Sequence, residues 1–169
     1  VLLAGKYGCG KTLVSAVTAL KATKNGWTYL YGKTAEDLES LYRMATQYGN
    51  CVIFIEDVDQ QLKGDRSEQM NLILNVLDGV DTKGNEIITV FTTNHVEKIN
   101  PAALRPGRID KFVRVLPPDA KAAVQLIEKY GRGLLEPGTD LAPAGEVLAG
   151  RIPAFIRETV EEAKIAAVG

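Results

Sequence analysis

A chain of 169 residues that is 46% hydrophobic and 24% charged can bury the core of one domain with a small appendage, and its composition excludes a disordered polymer. A formal net charge of -1, from 20 basic and 21 acidic residues, provides no basic face, so nucleic acid as a dedicated partner has no support from charge. No apolar run approaches the ~20 residues that span a bilayer and no charged leader precedes the first strand, so no membrane partner is expected. Cys9 and Cys51 read as small buried thiols of a reducing compartment, and the expected location is cytoplasmic.

In chain order, residues 1–4 predict a short apolar strand and 11–24 a helix closed by Asn25-Gly26. The aromatic-rich stretch 27–31 predicts a second strand. Thr34-Ala35-Glu36-Asp37 has the form of a capping box with a short Asp in its last place, opening a helix to about residue 48. Residues 51–55 are wholly apolar, as in a strand buried on both faces of a parallel sheet. Residues 69–77 predict a helix, 87–92 another buried strand, and 113–116 the last strand, ended by Pro117-Pro118. Such alternation predicts an α/β fold, a parallel sheet with helices on both faces. Beyond Pro118 only helices are expected: one over 119–130 capped by Asp119, and one from Ile152-Pro153 to about residue 167, with Pro153 at a favourable first position. The expected division is an α/β nucleotide-binding subdomain over 1–116 and a small helical subdomain over 117–169.

Gly5-Lys6-Tyr7-Gly8-Cys9-Gly10-Lys11-Thr12 fits G-x-x-x-x-G-K-T between a strand and a helix, the P-loop of nucleotide-binding proteins. Its glycines let backbone amides curl around phosphates, and the helix N-terminus adds the positive end of its dipole. Lys11 is expected to reach the β- and γ-phosphates of ATP, and the Thr12 hydroxyl to hold Mg2+. A buried strand lying beside the P-loop strand then needs an acidic residue at its tip for the metal and a second carboxylate to orient water. Val52-Ile53-Phe54-Ile55 runs straight into Glu56 and Asp57, which fit those two roles; Asp59 reads as a solvated turn.

With these motifs the sequence resembles the AAA family of P-loop ATPases over essentially its whole length. Ile87-Ile88-Thr89-Val90-Phe91-Thr92-Thr93-Asn94 is similar to the family's sensor 1 strand, which implies that Asn94 touches the attacking water or the γ-phosphate. Asn100-Pro101-Ala102-Ala103-Leu104-Arg105-Pro106-Gly107-Arg108-Ile109-Asp110 resembles the family's second region of homology, which implies that Arg105 and Arg108 project into the neighbouring subunit's site. An arginine supplied in trans stabilises transition-state charge and is worth ~10³–10⁵ in rate. The resemblance implies an ATP/ADP site formed by Gly5, Tyr7, Gly8, Cys9, Gly10, Lys11, Thr12 and Leu13, with Thr12 and Glu56 on Mg2+. It further implies a homo-oligomeric, commonly hexameric, ring that remodels a protein substrate. Two rivals stand beside that reading: a nucleic-acid motor or loader, and an ATP-dependent assembly switch that hydrolyses slowly. The helical tail matches the family's lid. Tyr130 falls near the ribose and adenine in relatives, and packing within the lid explains it and Leu126 equally well. Arg151 is a sensor 2 candidate against the plainer reading of a surface arginine, and Arg157 is a weaker one.

The sequence departs from the family pattern at three places. Most relatives end the third strand with Asp-Glu, whereas this chain has Glu56-Asp57, placing a carboxylate one methylene shorter in the water-orienting position. The connection after Tyr31 is short for a substrate-threading loop; Tyr31 or Lys33 could line a pore, but alternation at Trp27, Tyr29 and Tyr31 favours a half-buried strand. Leu62-Lys63-Gly64-Asp65-Arg66 stands in the second pore-loop position, and a solvated turn explains its mixed charges as well. His95, the single histidine, has no Cys or carboxylate cluster around it in sequence and reads as a polar loop residue rather than a metal ligand.

Overall fold

Val-, Ile- and Phe-rich residues at Cys51–Ile55 form strand β3, in which all five positions are buried. Only a central strand covered on both faces accommodates that pattern. Before it lie β1 (Leu2–Ala4), helix α1 (Lys11–Lys24), β2 (Thr28–Gly32) and α2 (Leu38–Tyr48). After it come β4 (Ile87–Thr93) and β5 (Phe112–Arg114), then three helices: α3 (Ala120–Tyr130), α4 (Ala142–Leu148) and α5 (Pro153–Val168). The computed structural model describes residues 1–58, 76, 86–99 and 108–168. Of the helix expected over 69–77 only Val76 is described, and it is helical; Asp59, the second pore-loop position over 62–66, and Arg105 lie outside the described residues.

The five strands form one parallel sheet in the order β2-β3-β4-β1-β5. This corrects one expectation. β3 does not lie beside the P-loop strand β1, because β4 is inserted between them, with Ile55 registered on Phe91 and Ala4 on Thr93. In a parallel sheet all carboxyl ends face one edge, so the tips of β1, β4 and β3 stand in a row there. Asn94, one residue past β4, is thereby the middle member of that row.

The chain divides into two units: Val1–Gly5 with Lys11–Arg114, and Lys6–Gly10 with Val115–Gly169. The first has a core of Leu2, Ile53, Ile55 and Phe91 from the sheet with Leu38, Leu41, Tyr42 and Ala45 from α2. Phe54 is wholly buried, and burying such a side chain contributes ~1.5–3 kcal/mol. Asp37, expected to close a capping box, does so from one side: its Oδ2 accepts from the backbone N–H of Lys33 (3.0 Å) and Thr34 (3.1 Å). A 3-10 turn at Ala35–Asp37 intervenes before α2, so the α-helix starts later than the box suggests. The last strand ends at Arg114 rather than at 116, and Leu116 is exposed.

The second unit has its own apolar core of Ala123, Ile127, Leu148, Ile156 and Val160. Asp119 caps α3 as expected, its Oδ1 accepting from Ala122 N–H at 2.8 Å. Helix α4 is absent from the sequence expectations. Pro143 and Gly145 are poor helix formers, yet Pro is tolerated in the first turn, where its missing N–H has no intrahelical partner to lose. Gly145 is required by close packing on α3, since a Cβ there would lie 2.8 Å from the Ala120 carbonyl oxygen. Among the described residues no helix is long and apolar enough to cross a membrane.

Candidate functional site

β1 delivers Gly5 into the glycine-rich loop, and Gly5 N–H donates to the Thr93 carbonyl of β4 at 3.2 Å. Gly8 and Gly10 have φ of +76° and +99°, backbone that a residue with a Cβ adopts only under strain, which explains glycine at both positions. Cys9 between them is buried and unoxidised, while Tyr7 is exposed. Lys11 and Thr12 are the first residues of α1, where N–H groups without helical partners face outward. Thr12 and Leu13 are exposed.

Lys11 is 7% exposed, and a buried ammonium needs partners. Its Nζ donates to Gly5 O at 2.8 Å and to Asn94 Oδ1 at 2.5 Å. Asn94 Nδ2 in turn donates to Asp57 Oδ1 at 2.8 Å. The amide thus uses its acceptor on the cation and its donor on the carboxylate, and links β1, β4 and β3 across the sheet edge. Three residues singled out by separate sequence arguments form one hydrogen-bonded chain because β4 stands between the other two strands.

Glu56 and Asp57 diverge past the end of β3. Glu56 accepts from the Tyr31 hydroxyl through Oε2 at 2.9 Å. Its Oε1 is buried with no hydrogen-bond partner among the described residues. A buried carboxylate oxygen without a donor is costly unless a cation meets it. Glu56 and the Thr12 hydroxyl are hard oxygen donors of the kind that suits Mg2+, so these residues fit the metal that the motif implies. Partial burial of the phenol, its hydrogen bond to Glu56 and the negative charge nearby push the Tyr31 hydroxyl up to about 12. Tyr29, on the same strand, shares a 2.6 Å hydrogen bond with Ser15 of α1; burial raises its phenol above the ordinary value, against the effect of Ser15. Along β2, Tyr29 is half-buried and bonded to Ser15, whereas Tyr31 is exposed and bonded to Glu56.

The remaining expected residues are more dispersed. Arg108 is half-buried in a turn beside the buried Ile109. His95 Nδ1 lies 2.9 Å from Glu97 Oε1, and no cluster of metal-ligating side chains occurs among the described residues. Tyr130 and Leu126 pack against the core of the helical unit. The Arg151 guanidinium lies 5.3 Å from the ring centroid of Phe155, and Arg157 is exposed. Residues that the sequence expectations missed are Tyr31 as a partner of Glu56, Ser15 as a partner of Tyr29, and Thr92, whose Oγ1 accepts from Asp57 N–H at 2.9 Å. The available signal for the last was a pair of threonines closing a strand rich in apolar residues, since buried hydroxyls need partners.

This sheet order, with a glycine-rich loop between β1 and α1, defines a P-loop nucleoside-triphosphatase fold. The family profile described as "ATPase family associated with various cellular activities (AAA)" matches residues 1–116. The chain belongs to that family and is an AAA-type ATPase domain. It is 29% identical over 187 aligned positions to "ATP-dependent zinc metalloprotease FtsH 2" of Sorangium cellulosum, covering 99% of this chain and 31% of that protein. It is 33% identical over 174 positions to "ATP-dependent zinc metalloprotease FtsH" of Ralstonia pickettii, covering 92% of this chain and 24% of that protein. It is 28% identical over 186 positions to "Proteasome-activating nucleotidase" of Pyrococcus horikoshii, covering 99% and 46%. The chain thus spans less than half the length of each of these relatives.

Proposed function

We propose that this chain binds ATP with Mg2+, hydrolyses it within a homo-oligomeric ring, and uses the cycle to remodel a protein substrate. The observation that carries the proposal is the hydrogen-bonded chain from Lys11 through Asn94 to Asp57, which assembles a phosphate-binding cation, a polar sensor and a carboxylate at one sheet edge. In this reading residues 1–116 are the nucleotide-binding subdomain and 117–169 its lid. The loop of Gly5, Tyr7, Gly8, Cys9 and Gly10 surrounds the phosphates, with Leu13 as a further nucleotide contact. Lys11 exchanges one of its protein acceptors for a phosphate oxygen. Thr12 and Glu56 would hold Mg2+, which when bound neutralises charge on the β- and γ-phosphates.

Asp57 accepts a hydrogen bond from the attacking water and so points its lone pair at the γ-phosphorus, while Asn94 holds the carboxylate in place. The water oxygen bonds to phosphorus as the bond to the bridging oxygen breaks, giving ADP and inorganic phosphate. Arg105 and Arg108 from the next subunit would stabilise the charge that develops. Assembly finds support on α1, where Leu13, Val17 and Leu20 are exposed by 63%, 44% and 62% at helical spacing, an apolar stripe that a neighbouring subunit would cover. A protein substrate is supported by the printed names of the relatives, two proteases and a proteasome-activating nucleotidase. The rival reading, a slow assembly switch, draws on the short Asp57.

Steady-state ATPase against protein concentration tests the proposal. The expected result is a specific activity that climbs with concentration and requires Mg2+. A flat rate near zero with ATP still bound would favour the switch.

A further inference from the structure

We propose that Thr92 is a positioning residue that locks Asp57 in a left-handed backbone conformation, and that the site is thereby built for aspartate rather than glutamate at this position. The inference rests on the reading above, in which Asp57 orients the attacking water.

Asp57 has φ of +46° and is the single non-glycine residue with positive φ among the described residues. For an L-residue that region is strained, least so for Asp and Asn with their short polar side chains, and the strain persists only where surrounding contacts over-determine it. Those contacts come from β4. Asp57 N–H donates to Thr92 Oγ1 at 2.9 Å, and the next amide, Val58 N–H, donates to Thr92 O at 3.0 Å. One threonine therefore receives two consecutive backbone amides just past the end of β3. Thr92 is 1% exposed, so water cannot replace its hydroxyl. Two residues along the same chain, Asn94 Nδ2 takes the Asp57 carboxylate at 2.8 Å. The backbone is fixed from one side by Thr92 and the side chain from the other by Asn94, and both fixing groups belong to one polypeptide segment.

The reversed order Glu56-Asp57 then has a physical basis. A turn into the left-handed region re-aims the side chain, and a carboxylate one methylene shorter meets Asn94 from there. Glutamate in the same place would adopt the backbone less readily and carry its carboxylate past the amide. Thr92 acts through Asp57 and touches no reacting atom.

The test measures ATP turnover and ATP affinity of the full chain carrying Thr92→Val, Thr92→Ser, Asp57→Glu, Asp57→Asn, and Thr92→Val combined with Asp57→Asn. Thr92→Val keeps shape and removes the acceptor; it is expected to lower kcat by up to about 100-fold at unchanged ATP affinity, the cost that a misplacement of about 1 Å can carry. Thr92→Ser, which retains a hydroxyl, is expected to restore most of the rate. In the Asp57→Asn background, Thr92→Val is expected to have no further effect on the residual turnover. Asp57→Glu is expected to fall below the native rate despite matching the commoner order. An unchanged kcat per folded molecule in Thr92→Val, or the same fold loss with and without Asp57→Asn, would overturn the proposal and leave Thr92 a packing residue. Should Thr92→Val fail to fold, Asp57→Glu decides, and a rate at or above native overturns the inference. Full turnover in Asp57→Asn instead removes the functional reading on which it stands.

Discussion

The two units bury different chemistry. Every buried member of the helical unit's core is apolar: Ala123, Ile127, Leu148, Ile156 and Val160. The sheet unit buries Lys11, Ser15, Thr89, Thr92 and Thr93 as well, and all five make hydrogen bonds: Lys11 to Asn94, Ser15 to Tyr29, Thr89 to Tyr42, Thr92 to Asp57 N–H, and Thr93 to His95 N–H. Burying polar groups costs free energy that an apolar core would not incur, even when each finds a partner. Where a fold concentrates them, packing alone does not account for the choice. Their concentration along β4 and at the start of α1 coincides with the sheet edge proposed above to hold the phosphates, whereas the helical unit has an apolar core.

Mutations that remove one kind of stabilisation at a time would break or sharpen this contrast. The largest expected effect is on the sheet core: Phe54→Ala should cost ~3–5 kcal/mol in denaturant unfolding, because Phe54 has no exposure and its removal leaves a cavity. Lys11→Ala should leave the apolar core intact and weaken ATP binding by about 2–5 kcal/mol, read by titration calorimetry. Unchanged ATP affinity would remove the P-loop from the account. In the helical unit, Gly145→Ala forces a Cβ against the Ala120 carbonyl, an overpacking cost of ~1–3 kcal/mol that a thermal melt would register. The smallest effect concerns pH. The Tyr31 phenol is raised from 10.0 to about 12 in the folded protein, so the unfolded chain loses its proton first and stability falls as pH rises through that window. Tyr31→Phe should lose less stability than the native chain between denaturation measured below pH 10 and above it. Parallel losses in the two proteins would contradict that assignment.

Much of the architecture was legible in the sequence where one physical signal dominated. α1 begins at Lys11 and ends at Lys24 as expected, set by the glycine loop before it and Asn25-Gly26 after it. β3 spans the expected Cys51–Ile55 because five apolar residues between polar neighbours leave no alternative register. The misses have common causes. α4 escaped notice because its Pro143 and Gly145 are punished by propensity and rescued only by tertiary packing against α3. The neighbour of β1 was misplaced because strand order is a long-range property that no local pattern encodes. At the site, Lys11, Glu56 and Asp57 were candidates from motif and residue type and Asn94 from the family resemblance, and the structure brings Lys11, Asn94 and Asp57 into one hydrogen-bonded chain. The positive φ of Asp57 and the Thr92 hydroxyl that supports it were not, because both depend on β4 lying next to β3.

The most direct test of the central claim, that the sheet edge from Lys11 to Asp57 hydrolyses ATP, is a single-turnover experiment with the native chain and Asp57→Asn at saturating ATP. The account expects both proteins to bind ATP with similar affinity and only the native one to convert it to ADP at an appreciable rate. Equal conversion by the two would contradict it, because the carboxylate held by Asn94 would then have no part in orienting the water.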